Sequence, residues 1–161
     1  MPSTFAIYMK RAPHPFFVAA LLGAAACASA GRAPSDLSDT RFERSLQIDL
    51  ASMTRTPSGL YYQDEKTGQY EVAKARQRVM VRYTGWLPNG TEVDKSDEGI
   101  EFRLGSGTVI RGWEIGIEGM QVGGVRKLVI PPELGYRYRE VGKIPAGSVL
   151  VFRVELVRVR D

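Results

Sequence analysis

The residue types most used as neutral-pH bases, thiol nucleophiles and zinc ligands occur once each in this sequence: the histidine His14 and the cysteine Cys27. Both fall within the first 30 residues. That stretch contains no Asp or Glu, a basic pair at Lys10-Arg11, an apolar run from Phe16 to Ala26, and small residues at Ala28-Ser29-Ala30. A basic start, a short apolar middle and a small-residue end form an export signal. The apolar run is too short for a stable bilayer anchor. Once such a signal is removed, residues 31–161 contain no His and no Cys. Zinc sets, Cys–His pairs and Ser-His-Asp triads are then excluded. No metal and no cofactor is expected.

Other reactive patterns fail on spacing. Gly105-Ser106-Gly107 follows a strand pattern, but the next glycine is Gly112, too far for a dinucleotide fingerprint. The chain has no Gly-Lys-Ser/Thr phosphate loop and no Gly-x-Ser-x-Gly elbow. Asp94, Asp97, Glu98 and Glu101 cluster, yet nothing else in the chain completes a glycosidase or metal site. A net charge of +4, which loses Lys10 and Arg11 with the signal, does not argue for a nucleic-acid surface. What remains is a set of aromatic and branched apolar residues beside turns: Tyr83, Trp86, Phe102, Val109, Ile110, Trp113, Tyr136, Ile144 and Phe152.

The elements that must position them follow from periodicity. At 161 residues, 43% hydrophobic and 25% charged, the chain suits one folded domain. Val79, Val81 and Tyr83 alternate with Met80, Arg82 and Thr84. Phe102 and Leu104 alternate with Glu101 and Arg103, Leu128 and Ile130 with Lys127 and Val129, and Leu150, Phe152, Val154 and Leu156 share one face of a final strand. Such alternation predicts an antiparallel sheet with one buried side. Asn89-Gly90 signals a two-residue hairpin. Trp113, Ile117 and Met120 have helical spacing and predict a short helix that lays Trp113 against the sheet. The fold class is α+β, one curved sheet over one helix.

The domain plan is an export signal over 1–30, a linker and short amphipathic helix over 31–57, and a main domain over 58–161. The helix rests on a Thr40-x-x-Glu43 capping box and a stripe of Phe42, Leu46, Leu50 and Met53. A lone helix of this length needs a packing partner. Its own domain is favoured over a second copy of the chain, which leaves monomer or dimer open. The signal has two alternative ends. Ala28-Ser29-Ala30 suits an ordinary signal peptidase, whereas Gly23-Ala24-Ala25-Ala26-Cys27 has the form of a bacterial lipobox, with Cys27 the lipidated residue. The expected location is exported and periplasmic, with membrane contact only through the signal or a lipid on Cys27.

Read in order from Ser58 to Arg160, several stretches carry a family resemblance. They include Val81-Arg82-Tyr83-Thr84-Gly85, Val93-Asp94, Phe102-Arg103-Leu104-Gly105, Val109-Ile110-Arg111-Gly112-Trp113, Pro131-Pro132-Glu133, Ile144-Pro145 and Leu150-Val151-Phe152-Arg153-Val154-Glu155-Leu156. Together they resemble the FKBP-type peptidyl-prolyl cis–trans isomerases, the tacrolimus- and rapamycin-binding family, here in an exported bacterial form. The resemblance implies a twisted antiparallel β half-barrel wrapped around one short α-helix, with a concave apolar pocket open to proline. It implies Trp113 as the pocket floor, Tyr83, Phe102, Val109, Ile110 and Phe152 as walls, a hydroxyl from Tyr136, a backbone N–H from Ile144 and a carboxylate from Asp94 at the rim. The partners implied are proline-containing polypeptides and macrolide inhibitors. The alternative is a peptide-binding chaperone module of the same fold without useful turnover.

Three departures from the family pattern stand out. Val93 replaces a usual pocket Phe. The loop after Asp94 lacks the usual arginine partner, for which Lys95, Arg82 or Arg111 are candidate substitutes. Gly135-Tyr136-Arg137 replaces Ala-Tyr-Gly, and the loop that follows is short.

Overall fold

In the computed structural model of the chain, residues 36–161 are described; the expected export signal over 1–30 and Cys27 lie outside the described residues. Six strands form one antiparallel sheet: β1 (Thr54–Arg55), β2 (Tyr61–Lys66), β3 (Arg78–Trp86), β4 (Glu92–Arg103), β5 (Val125–Ile130) and β6 (Leu150–Arg160). Their spatial order is β1-β2-β5-β6-β3-β4. The connection from β4, at one edge, to β5, near the other, crosses the concave face and contains the helix α1 (Arg111–Ile117).

The alternation read from the sequence becomes burial. In β3, Val79, Val81 and Tyr83 face inward while Arg78 and Arg82 are exposed. Phe152, Val154 and Leu156 of β6 fill the same core, with Leu128 and Ile130 of β5. α1 lies close on β5 because two of its residues have no side chain. A Cβ at Gly112 would sit 2.5 Å from Ile130, and one at Gly116 would sit 2.7 Å from Leu128. The helix is also fixed at its C-terminal end, where carbonyls lack intrahelical donors. There Arg126 donates to the Gly116 carbonyl at 3.0 Å while its other nitrogens grip Asp64 at 2.6 and 3.0 Å. Its guanidinium lies 4.5 Å from the Tyr62 ring centroid, a cation–π contact.

The β3–β4 hairpin differs from the two-residue turn expected at Asn89-Gly90. Leu87 N–H donates to the Thr91 carbonyl at 2.9 Å and Gly90 N–H to the Leu87 carbonyl at 3.0 Å, so Pro88, Asn89 and Gly90 form a three-residue loop. Only Gly90 among these takes a positive φ, +85°. Pro88 is pre-set for an ordinary type I turn, and a left-handed glycine then returns the chain to the ladder.

The segment expected as an amphipathic helix over 40–53 is instead an irregular strap with a single 3-10 turn, Arg44–Leu46. The capping box does not form: no side chain caps that turn, and the Glu43 N–H donates to the Pro88 carbonyl at 2.8 Å. The apolar stripe is nonetheless used. Met53 joins Leu37 and Val129 in a second small core, with Phe42, Ile48 and Leu50 packed against it. The strap therefore packs on its own domain, across the outer face of the sheet. Packing on that extended surface, rather than helix propensity, sets the local conformation. It also explains why every residue of β5 is buried: α1 covers one face of this strand and the strap the other.

Candidate functional site

The inward side chains of β3, β4 and β6 meet those of α1 in one aromatic cluster. Trp113 sits at its centre, with ring centroids 4.8 Å from Tyr83, 5.9 Å from Phe102 and 5.3 Å from Phe152. The Tyr83 and Phe152 rings meet the indole edge-on, at 81° and 88°. That is the favourable arrangement for aromatic quadrupoles. Gly85 makes room for it, since a Cβ there would collide with the Phe152 ring. Val109, Ile110 and Ile144 belong to the same buried cluster, and Val93 and Tyr136 pack against it.

The polar groups at this cluster come from β3, β4 and the segment after β5. Tyr83 Oη donates to Asp94 Oδ2 at 2.9 Å, and the Lys95 N–H donates to Asp94 Oδ1 at 2.9 Å. Burial pushes the Asp94 carboxyl above its ordinary value of 3.8, the charge of Glu92 adds to this, and those two hydrogen bonds pull the other way. None of the proposed substitutes for an arginine partner reaches it. Lys95 pairs with Asp97 at 2.9 Å, Arg82 with Glu155 at 3.9 Å and Arg111 with Glu114 at 3.4 Å. Among the described residues no cation forms a salt bridge with Asp94, so no positive charge offsets the upward push of burial.

Tyr136 reaches the cluster from the turn after the 3-10 segment Pro132–Leu134. Its hydroxyl is buried without a hydrogen-bond partner, as is Trp113 Nε1. Burial and the nearby Asp94 charge push the phenol well above its ordinary pKa, so it remains a neutral donor. An unpaired buried donor costs about 1–3 kcal/mol. Two at one site mark a place where a ligand's acceptors would be welcome.

At the centre of the cluster Trp113 and Ile110 have 0% exposure, Ile144 1% and Val109 2%. Two sequence expectations change. The Ile144 N–H is not free for a substrate, because it donates to the Val141 carbonyl at 2.9 Å in a small reciprocal bridge. The amide that is available lies elsewhere. Ile110, the residue before α1, has no backbone acceptor for its N–H among the described residues, while its carbonyl accepts from Trp113. The family resemblance implies Ile110 only as a wall. The missed signal was its place directly before a helix start, where amides lack intrahelical partners. Glu114 holds this stretch in place, its Oε1 accepting from the Gly107 N–H at 2.7 Å.

The model of the FKBP-type peptidyl-prolyl cis-trans isomerase family matches residues 69–157. The chain belongs to that family. FK506-binding protein 4 of Mycosarcoma maydis is 40% identical over 127 residues, covering 76% of this chain and 34% of that protein. This chain thus spans about a third of the length of that curated relative, and about a fifth of FK506-binding protein 4 of Chaetomium thermophilum, which is 46% identical over 104 residues. Among solved structures, FkpA from Escherichia coli superposes with a TM-score of 0.63 at 39% identity, covering 73% of this chain and 55% of that one. A peptidyl-prolyl cis-trans isomerase from Pseudomonas syringae gives a TM-score of 0.64 at 31% identity, covering 73% and 90%.

Within this FKBP domain, the family resemblance and the geometry agree on which residues meet. Tyr83, Val93, Phe102, Val109, Ile110, Trp113, Tyr136, Ile144 and Phe152 share one cluster, and Asp94 joins it through Tyr83. The altered loop has a visible backbone consequence. Arg137, where the family pattern has Gly, takes φ +56°, the left-handed region. Its N–H donates to the Pro132 carbonyl at 2.9 Å and its carbonyl accepts from Gly147 at 2.6 Å, which hold it there. Among the described residues no group of three His, Cys, Asp or Glu could hold a metal ion, and no helix is long and apolar enough to cross a membrane.

Proposed function

We propose that this chain catalyses cis–trans rotation of X–Pro bonds in exported polypeptides, with the proline ring held against Trp113. The observation that carries the reading is the family match over 69–157 together with the aromatic cluster around Trp113. Rotation has to break amide resonance, a barrier of about 18–20 kcal/mol. The twisted transition state has a less polar carbonyl than the planar ground state and a more basic proline nitrogen. A dry hydrocarbon site disfavours the planar form more than the twisted one, and the rate rises through that difference. No bond to carbon forms or breaks, so no nucleophile is required.

The polar groups fix orientation. In this reading the Tyr136 hydroxyl and the Ile110 N–H donate to substrate carbonyls, and Asp94 orients Tyr83. Val93 leaves one wall thinner than the family's usual Phe. The same cup is the site for an FK506-like macrolide, the ligand class named in the relatives. The export signal at 1–30 is the support for a periplasmic location, with Cys27 as lipid attachment point in the alternative form of that signal.

The burial of Trp113 favours a second reading, in which the module grips apolar proline-containing segments without useful turnover. A protease-coupled peptide assay separates the two. Isomerisation should be accelerated by the full chain, and kcat/KM should fall at least about tenfold in Trp113→Ala and in Asp94→Ala. A wild-type rate no faster than that of Trp113→Ala overturns the catalytic reading. Suppression of aggregation by that same silent protein would support the second.

A further inference from the structure

On the face of the sheet opposite the aromatic cluster, the strap roofs a half-open cavity of about 650 Å³. Its floor is the outer surface of β3, β5 and β6. Trp86 and Val151 supply an apolar wall, Leu46 closes the roof, and Lys127, Arg153 and Glu65 line the remainder. The volume falls in the range of small-molecule sites.

The charges in this cavity do not balance. Lys127 is only 8% exposed, and its Nζ donates to the Leu46 carbonyl at 2.9 Å and pairs with Glu65 at 3.1 Å. Arg153 Nε takes the other oxygen of that carboxylate at 2.7 Å. Two cations thus share one carboxylate, and one positive charge stays uncompensated beside a half-buried indole. An ammonium carries three donors, of which two are used. A buried cation favours a further anion when its own counter-charge is shared.

The roof adds a separate observation. Gln47 adopts φ +51°, ψ +48°, a left-handed conformation that a non-glycine residue takes at some cost. Gln47 lines the cavity, as does Ser45. Strained residues persist where surrounding structure holds them, and they gather at ligand clamps.

We infer that this cavity binds a small monoanionic carboxylate bearing a flat apolar group, the group against Trp86 and Val151 and the carboxylate against Lys127 and Arg153. Such a ligand would be either a free aromatic acid or the C-terminal carboxylate of a chain ending in an aromatic residue. This site is separate from the Trp113 cup, so its occupancy does not depend on the isomerase reading.

The test follows the indole N–H resonances of the full chain by ¹H–¹⁵N NMR during titration with 2-naphthoate, its neutral analogue 2-naphthalenemethanol, and a dipeptide ending in a free Trp carboxylate. The two tryptophans are assigned by Trp86→Phe. The expected result is saturable movement of the Trp86 signal by naphthoate, with the alcohol at least about tenfold weaker, corresponding to one lost charge-assisted contact. The dipeptide distinguishes the sources: binding tighter than naphthoate assigns a chain terminus, and weaker binding assigns a free acid. Lys127→Met and Arg153→Gln should each weaken naphthoate, and the exposed Arg153 keeps the test valid if Lys127→Met fails to fold. Equal affinity for acid and alcohol, movement of the Trp113 signal alone, or no movement up to about 10 mM overturns the proposal.

Discussion

The two faces of the sheet solve opposite electrostatic problems, and two carboxylates display the contrast. On the concave face Asp94 is buried without a cation, and its pKa is raised. On the outer face Glu65 is also pushed upward by burial, but hydrogen bonds and charge from Lys127 and Arg153 outweigh that and its pKa is lowered. One face keeps charge out and accepts unmatched donors at Trp113 and Tyr136. The other gathers charge in pairs, among them Arg153–Glu65, Arg158–Glu101 and Arg82–Glu155.

The largest test of this division is Trp113→Ala. Removing the central indole should cost about 3–5 kcal/mol in chemical denaturation, whereas Arg82→Gln on the outer face should cost less than about 1 kcal/mol. Comparable losses would break the contrast. Next is Gly85→Ala, whose methyl collides with the Phe152 ring. It should destabilise by about 1–3 kcal/mol and displace Phe152 from the indole, seen as a change in Trp113 fluorescence. Arg137→Gly sharpens the picture in the other direction. Relief of the left-handed backbone should stabilise the protein by about 1 kcal/mol in urea denaturation.

The smallest effect has the most diagnostic sign. Because the Asp94 pKa is raised on folding, the folded state binds its proton more tightly. Stability should fall as pH rises from 3.8 through the folded value, and Asp94→Asn should remove that fall. Glu65 behaves oppositely. Its stabilising contribution is present above 4.5 and is lost as pH falls through the lowered folded value, and Glu65→Gln should flatten that acid limb. Thermal melts of wild type and both variants between about pH 2 and 7 check the two slopes together; slopes of the same sign would contradict the electrostatic division.

Much of the concave side was legible in the sequence because strand alternation and the Val109–Trp113 stretch encode it directly. The period-two pattern placed Tyr83, Phe102 and Phe152 on one face, and the helical offset of Trp113, Ile117 and Met120 located α1. The outer side was harder to read. Phe42, Leu46, Leu50 and Met53 have helical spacing, but their burial on an extended surface overrode it. Glu65, Lys127 and Arg153 are far apart in sequence and meet only through strand register. The Ile144 amide failed as a donor for a related reason: its local bridge to Val141 depends on how a shortened loop closes, which no residue pattern specifies.

The strap touches the β3–β4 turn through Glu43 and Pro88, and reaches β5 through the Leu46 carbonyl and Lys127, 81 positions further along. Its landing places are made of chain that leaves the ribosome much later than the strap itself. Contacts of such long range carry a high entropic cost until the sheet exists. The leading end of this domain is thus expected to be fastened last, once the rest has been assembled.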